Sequence, residues 1–502
     1  MFPIQFFWRA ASQHKSRVAV IGPDETVTFG QLAQRVRATA AGIAAHAPAY
    51  QARIGIGGAN SVAHLVGLLG AIAAGKVWVP LNPRNGTPEL ARLIQFTEPS
   101  LLLLDQSLAE RLGPLARPVV GLDARQPEAL HAWERSHADA PVPTFQGSLG
   151  DVQAIKFTGG TTGAPKGVMQ TYRAWNTTTV TQWREFSFDE NDRFLVSAPL
   201  THGASTYVLP ILGAGGALVF PGELKPGAIL DTIASHRITT VFMPPTLIYA
   251  VAHEMEMKPR DTSSLRQMIY GAAPMPPQKI RQVQQVFGNV LATTYGQTEA
   301  PQVIACLRPQ ELADATNMAS VGRPSMMTDV RIMAKDGGFL PPGEEGEVVV
   351  RGDLVMAGYW QAPEQTAATI KDGWLHTGDI GVFDERGFLY LKDRVRDVII
   401  SGGFNVYPSD VEEVINQHPA IFDCAVFGVE DDKWGEMVHA AVTLRAGMSV
   451  DQDELIGFVK AQLGAVKAPK AVHFMASLPK SAVEKTLKSE LRKTVLAASQ
   501  AT

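Results

Sequence analysis

Apolar residues recur at helical spacing through the Ala-rich residues 31–45, and again through 63–74, where a buried helix is predicted. An apolar run at 77–80 then predicts a short strand leading into a turn at 82–85, and the run SLLLL at 100–104 predicts a buried strand. Residues 137–144, rich in Ala and Pro, read as a loop before a further strand at 151–157. Downstream, residues 195–199, 217–220 and 239–243 read as strands, with a helix at 228–236 between the last two. Such alternation implies parallel or mixed sheets covered by helices. The small-residue, Gly-then-strand-then-Pro texture of 67–80 returns at 212–221, a hint of two related lobes.

From Asp329 the pattern changes to short strands between Gly/Pro turns, at 330–334, 346–351 and 389–392. Past Arg394 comes a strand at 398–401, a turn at Gly402 and Gly403, and a helix at 408–416 with Ser409 as its N-cap. Strands at 421–429 and 438–444 and a helix at 452–462 complete a stretch of about a hundred residues, the size of a small domain. The predicted fold class is α/β: a large N-terminal domain of two α/β lobes plus a small β-rich subdomain (1–394), and a small α+β C-terminal domain (395–502).

Composition narrows the partners. A chain of 502 residues exceeds what one core usually supports. Hydrophobic residues make up 45% and charged residues 19%, an ordinary globular balance. The net charge of −4 and the absence of a basic block argue against a nucleic-acid partner. Cys306 and Cys424 lack any partner spacing, so neither a disulfide framework nor a zinc site is expected, and a reducing, cytoplasmic setting fits. The N-terminus lacks the basic-then-apolar order of a signal peptide. The apolar run 65–74 is too short, and too soon followed by Lys76, to span a bilayer, so no transmembrane segment is expected.

The candidate chemistry starts at residues 157–168, FTGGTTGAPKGV. Gly159, Gly160 and Gly163 let backbone N–H groups approach an oxyanion closely, Thr158, Thr161 and Thr162 add hydroxyl donors, and Lys166 adds a mobile positive charge. Such a loop suits the phosphates of a nucleotide. It is not a Walker loop, because Gly167 follows Lys166 where that motif requires Ser or Thr.

Further motifs follow in order: GAAP at Gly271, Ala272, Ala273 and Pro274; YGQTE from Tyr295 to Glu299; TGD ending at Asp379; DRVRD at 393–397; SGGFNVYP at 401–408; and PKSAVEK ending at Lys485. With the glycine loop, this series resembles the adenylate-forming superfamily of acyl-CoA synthetases, adenylation domains and luciferases, over nearly the whole chain. The nearest likeness is to the aryl- and fatty-acyl-CoA ligases. The resemblance implies two half-reactions. A carboxylic acid and ATP give an acyl-adenylate and pyrophosphate; the acyl group then passes to coenzyme A. ATP, Mg2+ and CoA are the implied cofactors and co-substrates.

By the same resemblance the glycine loop cradles pyrophosphate, and Glu299, with Thr162, holds magnesium. Thr298 donates to the α-phosphate. Tyr295, Gly296 and the GAAP segment flank adenine. Asp379 accepts from the ribose hydroxyls, helped by Arg394. Lys485 bridges the carboxylate and the α-phosphate, stabilising charge that develops in the transition state. Gly402 and Gly403 let a pantetheine arm pass. A mobile C-terminal lid turns about a hinge at Arg396. The acyl pocket falls at His202, Ala204, Tyr207, Met243, Thr246, Ala272, Gly296 and Ala300, with His202 as a gate and a catalytic candidate. This set is small and neutral, which favours an apolar or aromatic monocarboxylate.

The chain departs from the pattern at three places. Glu484 stands where the family has glycine before the lysine, beside Val483; Arg396 replaces the usual Asp or Lys; Gly159 replaces a serine. Two other readings stay open. An acyl-AMP ligase loading a separate carrier protein predicts adenylation without CoA turnover. A degenerate nucleotide-binding protein predicts ATP binding without pyrophosphate release. A homodimer is among the assemblies allowed.

Overall fold

The computed structural model describes all residues except 124–125, 127–128, 142–143, 145–146, 159–165, 395–396, 402–403, 432–433, 481–485 and 501–502; the side chains of 158, 405 and 497–500 are also outside the description. Helix Phe29–His46 begins at a capping box: Thr28 accepts from the Gln31 backbone while the Gln31 side chain accepts from the Thr28 backbone. The apolar helix Val62–Ala73 is buried all round, as its sequence requires, with Ser61 capping it through the His64 N–H. Both match the helices predicted from periodicity, to within a turn.

The chain divides into two compact units, residues 1–330 with 350–375, and residues 331–349 with 376–502. The first contains two sheets. In one, strands Arg53–Gly57, Val77–Leu81, Leu101–Leu104 and Val119–Gly121 run parallel, and Val152–Thr158 joins them parallel to Val77–Leu81. Strand Lys166–Thr171 then turns back antiparallel on Val152–Thr158. In the other sheet Arg193–Leu195, Ala217–Val219, Thr240–Met243, Gln267–Tyr270 and Leu291–Tyr295 are parallel. Strand Val18–Ile21 pairs parallel with Ala217–Val219 and so ties the N-terminal segment to this sheet. The two stretches of similar texture noted above fall in separate sheets. One core cluster, with Trp78, Tyr207 and Phe194 among its largest buried side chains, packs between these elements.

The strand expected at 195–199 is Arg193–Leu195 instead. The Asn60 side chain takes over the backbone beyond it, donating to the Ala198 carbonyl at 2.8 Å and accepting from the Leu200 N–H at 2.8 Å. The β-rich region predicted from residue 329 onward is a five-stranded sheet, in which Trp374–Phe383 pairs antiparallel with Leu389–Arg394.

The second unit holds a C-terminal sheet whose longest strands, Ile421–Asp431 and Gly435–Leu444, pair antiparallel, with Ala471–Phe474 added in parallel. Helices Pro408–Ile415 and Gln452–Lys467 share a core cluster with it, and helix Lys488–Gln500 packs in another. Tyr407, not Ser409, is the N-cap of Pro408–Ile415. Ser409 is drawn away: its hydroxyl bonds the Lys392 carbonyl and its N–H donates to Asp393 Oδ2 at 2.9 Å. Among the described residues no helix is long and apolar enough to cross a membrane.

Candidate active site

Strands Arg193–Leu195, Thr240–Met243, Gln267–Tyr270 and Leu291–Tyr295 stand side by side in one parallel array. Most of the predicted ligand-binding residues of the first unit follow their C-terminal ends, which is where open α/β sheets hold ligands. His202 and Ala204 come after the first strand and Thr246 after the second. Gly271, Ala272, Ala273 and Pro274 leave the third, and Gly296, Thr298, Glu299 and Ala300 leave the fourth, which ends at the buried Tyr295. Ala272 adopts a left-handed φ of 67°, turning the chain sharply where the GAAP segment begins. A Cβ at Gly296 would lie 1.9 Å from the Gln302 carbonyl oxygen, so only glycine lets these segments meet.

The glycine loop joins the two strands of an antiparallel hairpin, with Thr158 opposite Lys166. Gly159, Gly160, Thr161, Thr162 and Gly163 lie outside the described residues. Beside the hairpin's exit, Lys166 Nζ sits 5.7 Å from the centre of the Tyr359 ring. The Tyr359 hydroxyl donates to Glu299 Oε1 at 2.9 Å. Burial, and then the Glu299 charge, raise the Tyr359 pKa, so the phenol keeps the proton it donates. The backbone around Glu299 is fixed as well: Gln170 Nε2 donates to the Thr298 carbonyl at 2.8 Å, and Met356 N–H to the Glu299 carbonyl at 2.8 Å. One tyrosine thus links the loop's lysine to the acid of YGQTE.

On the acid side, Met243 is fully buried, and Thr246 is exposed near the start of helix Pro245–Met257. Tyr207 lies in the core, its ring stacked on Phe194 at 5.0 Å and tilted on Phe242 at 5.3 Å. His202 is pushed down to about 4 by burial and then by the positive charges of Lys156 and Arg84, so its imidazole is neutral near pH 7. Burial pushes Lys156 itself down to about 7.

In the second unit, Asp379 and Arg394 are cross-strand partners, with Arg394 Nε 2.6 Å from Asp379 Oδ1. The TGD turn is held from both sides. Thr377 Oγ1 donates to the Val348 carbonyl at 2.7 Å and accepts from the Asp379 N–H at 3.1 Å. Glu347 accepts from the Gly378 N–H at 3.0 Å and meets His376 Nδ1 at 2.7 Å. Lys480 pairs with Asp423 at 3.2 Å and Lys488 with Glu412 at 2.8 Å. Burial opposes the Lys488 charge, but Glu412 and then Asp393 outweigh it and raise its pKa. Lys485, Arg396, Gly402 and Gly403 lie outside the described residues. No cluster of three metal-ligating side chains occurs among the described residues.

A match to the AMP-binding enzyme family spans residues 7–360, and a match to the AMP-binding enzyme C-terminal domain spans 410–485. The chain belongs to the AMP-binding, adenylate-forming enzymes. A feruloyl-CoA synthase from an Amycolatopsis species is 37% identical over 489 residues, covering 97% of each chain. The medium/long-chain-fatty-acid–CoA ligase FadD8 of Mycobacterium tuberculosis is 34% identical over 504 residues, covering 96% of this chain and 88% of its own. The solved structure of amide bond synthetase McbA from Marinactinospora thermotolerans superposes with a TM-score of 0.89 at 31% identity, covering 98% of this chain and 100% of that one.

Against this family background, the residues that sequence reasoning missed are those that support the motifs. Tyr359 lies 60 positions from Glu299 and carries no spacing signal toward it. Gln170 and Glu347 act through partners 128 and 31 residues away. Lys156 stood inside a predicted strand, where a lone lysine reads as solvated; its burial appears only once the sheets pack.

Proposed function

We propose that this protein is an ATP-dependent carboxylic acid–CoA ligase acting on an apolar or aromatic monocarboxylate. The Lys166–Tyr359–Glu299 arrangement carries the reading. It puts a cation and an oriented carboxylate beside the hairpin that bears the glycine loop, as displacement of pyrophosphate by a carboxylate requires. The names of the CoA-ligase relatives, which cover aromatic and fatty acids, support the substrate class. The two free, buried cysteines agree with a reducing, cytoplasmic setting.

In this reading Lys166 and the loop neutralise the departing pyrophosphate, and Thr298 donates to the α-phosphate. Tyr295, Gly296 and Gly271–Pro274 flank adenine. Asp379, aligned by Arg394, accepts from the ribose hydroxyls. Glu299 would hold magnesium, with Tyr359 fixing its carboxylate. The donor set fits, because magnesium binds through one or two carboxylates plus phosphates rather than an all-protein cage. Magnesium would neutralise phosphate charge. Lys485 stabilises the charge developing between the two reacting oxyanions. Residues 1–394 form the adenylation domain and 395–502 the lid, with Arg396 at the hinge, and Gly402 and Gly403 line the thiol's approach.

A second reading changes only the acceptor. The likeness to an amide bond synthetase supports passing the acyl group to an amine. Pyrophosphate release with magnesium-ATP, measured over aryl, short-, medium- and long-chain acids with CoA, with a simple amine, or with neither, separates the two. Release that rises with CoA and yields a thioester is expected. Release that rises only with the amine would replace CoA as acceptor. No release with any acid, while ATP binds, would remove the ligase reading.

A further inference from the structure

Lys156 lies in strand Val152–Thr158, two residues before Thr158, from which the glycine loop leaves. It is 7% exposed, and among the described residues no carboxylate pairs with it. Its ammonium donates to Ser205 Oγ at 2.9 Å and to the His202 carbonyl oxygen at 3.4 Å. It also lies over the rings of Trp78 and Trp175, at 4.9 Å and 5.2 Å from their centres. Ser205 Oγ donates in turn to the same His202 carbonyl at 2.7 Å. One ammonium and one hydroxyl therefore converge on a single backbone oxygen of the turn that carries His202.

Taking an ammonium out of water is unfavourable, and an apolar side chain of similar length would fill the space between two indoles without that penalty. What an apolar chain lacks is a donor. The donor reaches from a strand of one sheet to a turn that follows a strand of the other, and so crosses between the two α/β layers of the first unit.

We propose that Lys156 is a positioning residue that pins the His202 turn to the strand carrying the glycine loop, which fixes the separation between the acid-binding and phosphate-binding parts of the site; this rests on the acid-ligase reading above. In-line attack depends steeply on how the two reactants are placed, so a slack turn weakens acid binding and turnover without touching the nucleotide contacts.

The test is ATP–pyrophosphate exchange by wild type, Lys156→Met and Lys156→Arg, with ferulate first and otherwise the acid giving the fastest wild-type exchange. ATP binding by calorimetry and thermal midpoints are measured alongside. Lys156→Met should raise the acid KM and lower kcat by about tenfold each. Its ATP affinity should stay within about twofold and its midpoint should not fall below wild type. Lys156→Arg, which keeps the charge and the donors, should recover most of the acid KM. A Met variant with wild-type acid KM and kcat overturns the proposal, as does one whose losses merely track a lower midpoint. Should Lys156→Met not fold, Ser205→Ala decides. It removes the relay hydroxyl and should raise the acid KM by about threefold; an unchanged KM overturns the proposal. Absence of exchange in wild type with every acid sinks the ligase reading and this proposal with it, whereas an active wild type matched by its variants sinks the proposal alone.

Discussion

The ammonium of Lys156 reaches from its strand to the carbonyl of the turn that carries His202, and its positive charge helps to lower the His202 pKa. Burial is the largest influence on each, and each is pushed toward its neutral form. For Lys156 the consequence for stability has a definite sign. Its pKa falls from an ordinary 10.5 in the unfolded chain to about 7 in the folded one. Between those values the unfolded chain holds a proton that the folded chain has released, so folding becomes more favourable as pH rises through that window. Well below pH 7 the folded protein carries the buried charge and the full penalty. Lys156→Met has no such group. Its stability advantage over wild type should be largest near pH 6 and should shrink toward pH 10, by at most about 1.4 kcal/mol per pH unit. Thermal midpoints of both proteins at a series of pH values measure the difference. A gap that stays constant with pH would show that Lys156 is not the titrating group.

Elements bring the site together through close approaches that a motif does not announce. The turn after Leu291–Tyr295 packs Gly296 onto the backbone of Gln302, with no room for a methyl group. Gly296→Ala must displace that backbone, and should destabilise the protein by about 3 kcal/mol and abolish ATP binding. Gly457→Ala is the matching control. It sits inside helix Gln452–Lys467 with nothing within 4 Å of its added carbon, and should be neutral or stabilising by up to about 1 kcal/mol. Melting and nucleotide titration of both variants test this; a Gly296→Ala protein that still binds ATP would mean that the turn yields easily. The same contrast explains what the sequence disclosed. Long periodic helices such as Phe29–His46 were legible, because one face repeats over many residues. The glycine-rich stretch, YGQTE and TGD stood out as motifs because each is a run of consecutive residues. The end of strand Arg193–Leu195 was not legible, since it is set by the distant Asn60. Nor were Tyr359 and Lys156, whose roles come from partners in other elements.

At the scale of the whole molecule, the proposed reaction assigns its two half-reactions to different residues of the C-terminal region. Three lysines cluster near the end of the chain, at 480, 485 and 488. Lys480 and Lys488 are each held in an ion pair, with Asp423 and Glu412, so both flanks of residues 481–485 are anchored to the C-terminal sheet and its helix. Glu484 adds a negative charge beside the lysine. Lys485→Met should therefore lower ATP–pyrophosphate exchange by about a hundredfold or more, because it removes transition-state charge stabilisation. It should leave thioester formation from a synthetic acyl-adenylate within about threefold of wild type, since no phosphate charge develops in that step. Gly403→Leu should do the reverse, retaining exchange and blocking the thiol's approach. Glu484→Gly offers a finer probe. If the acid restrains the lysine, its removal speeds exchange and leaves the thioester step as it was. Equal losses in both steps for Lys485→Met would mean that the lysine holds the domain's structure, and the assignment of half-reactions to separate residues would have to be abandoned.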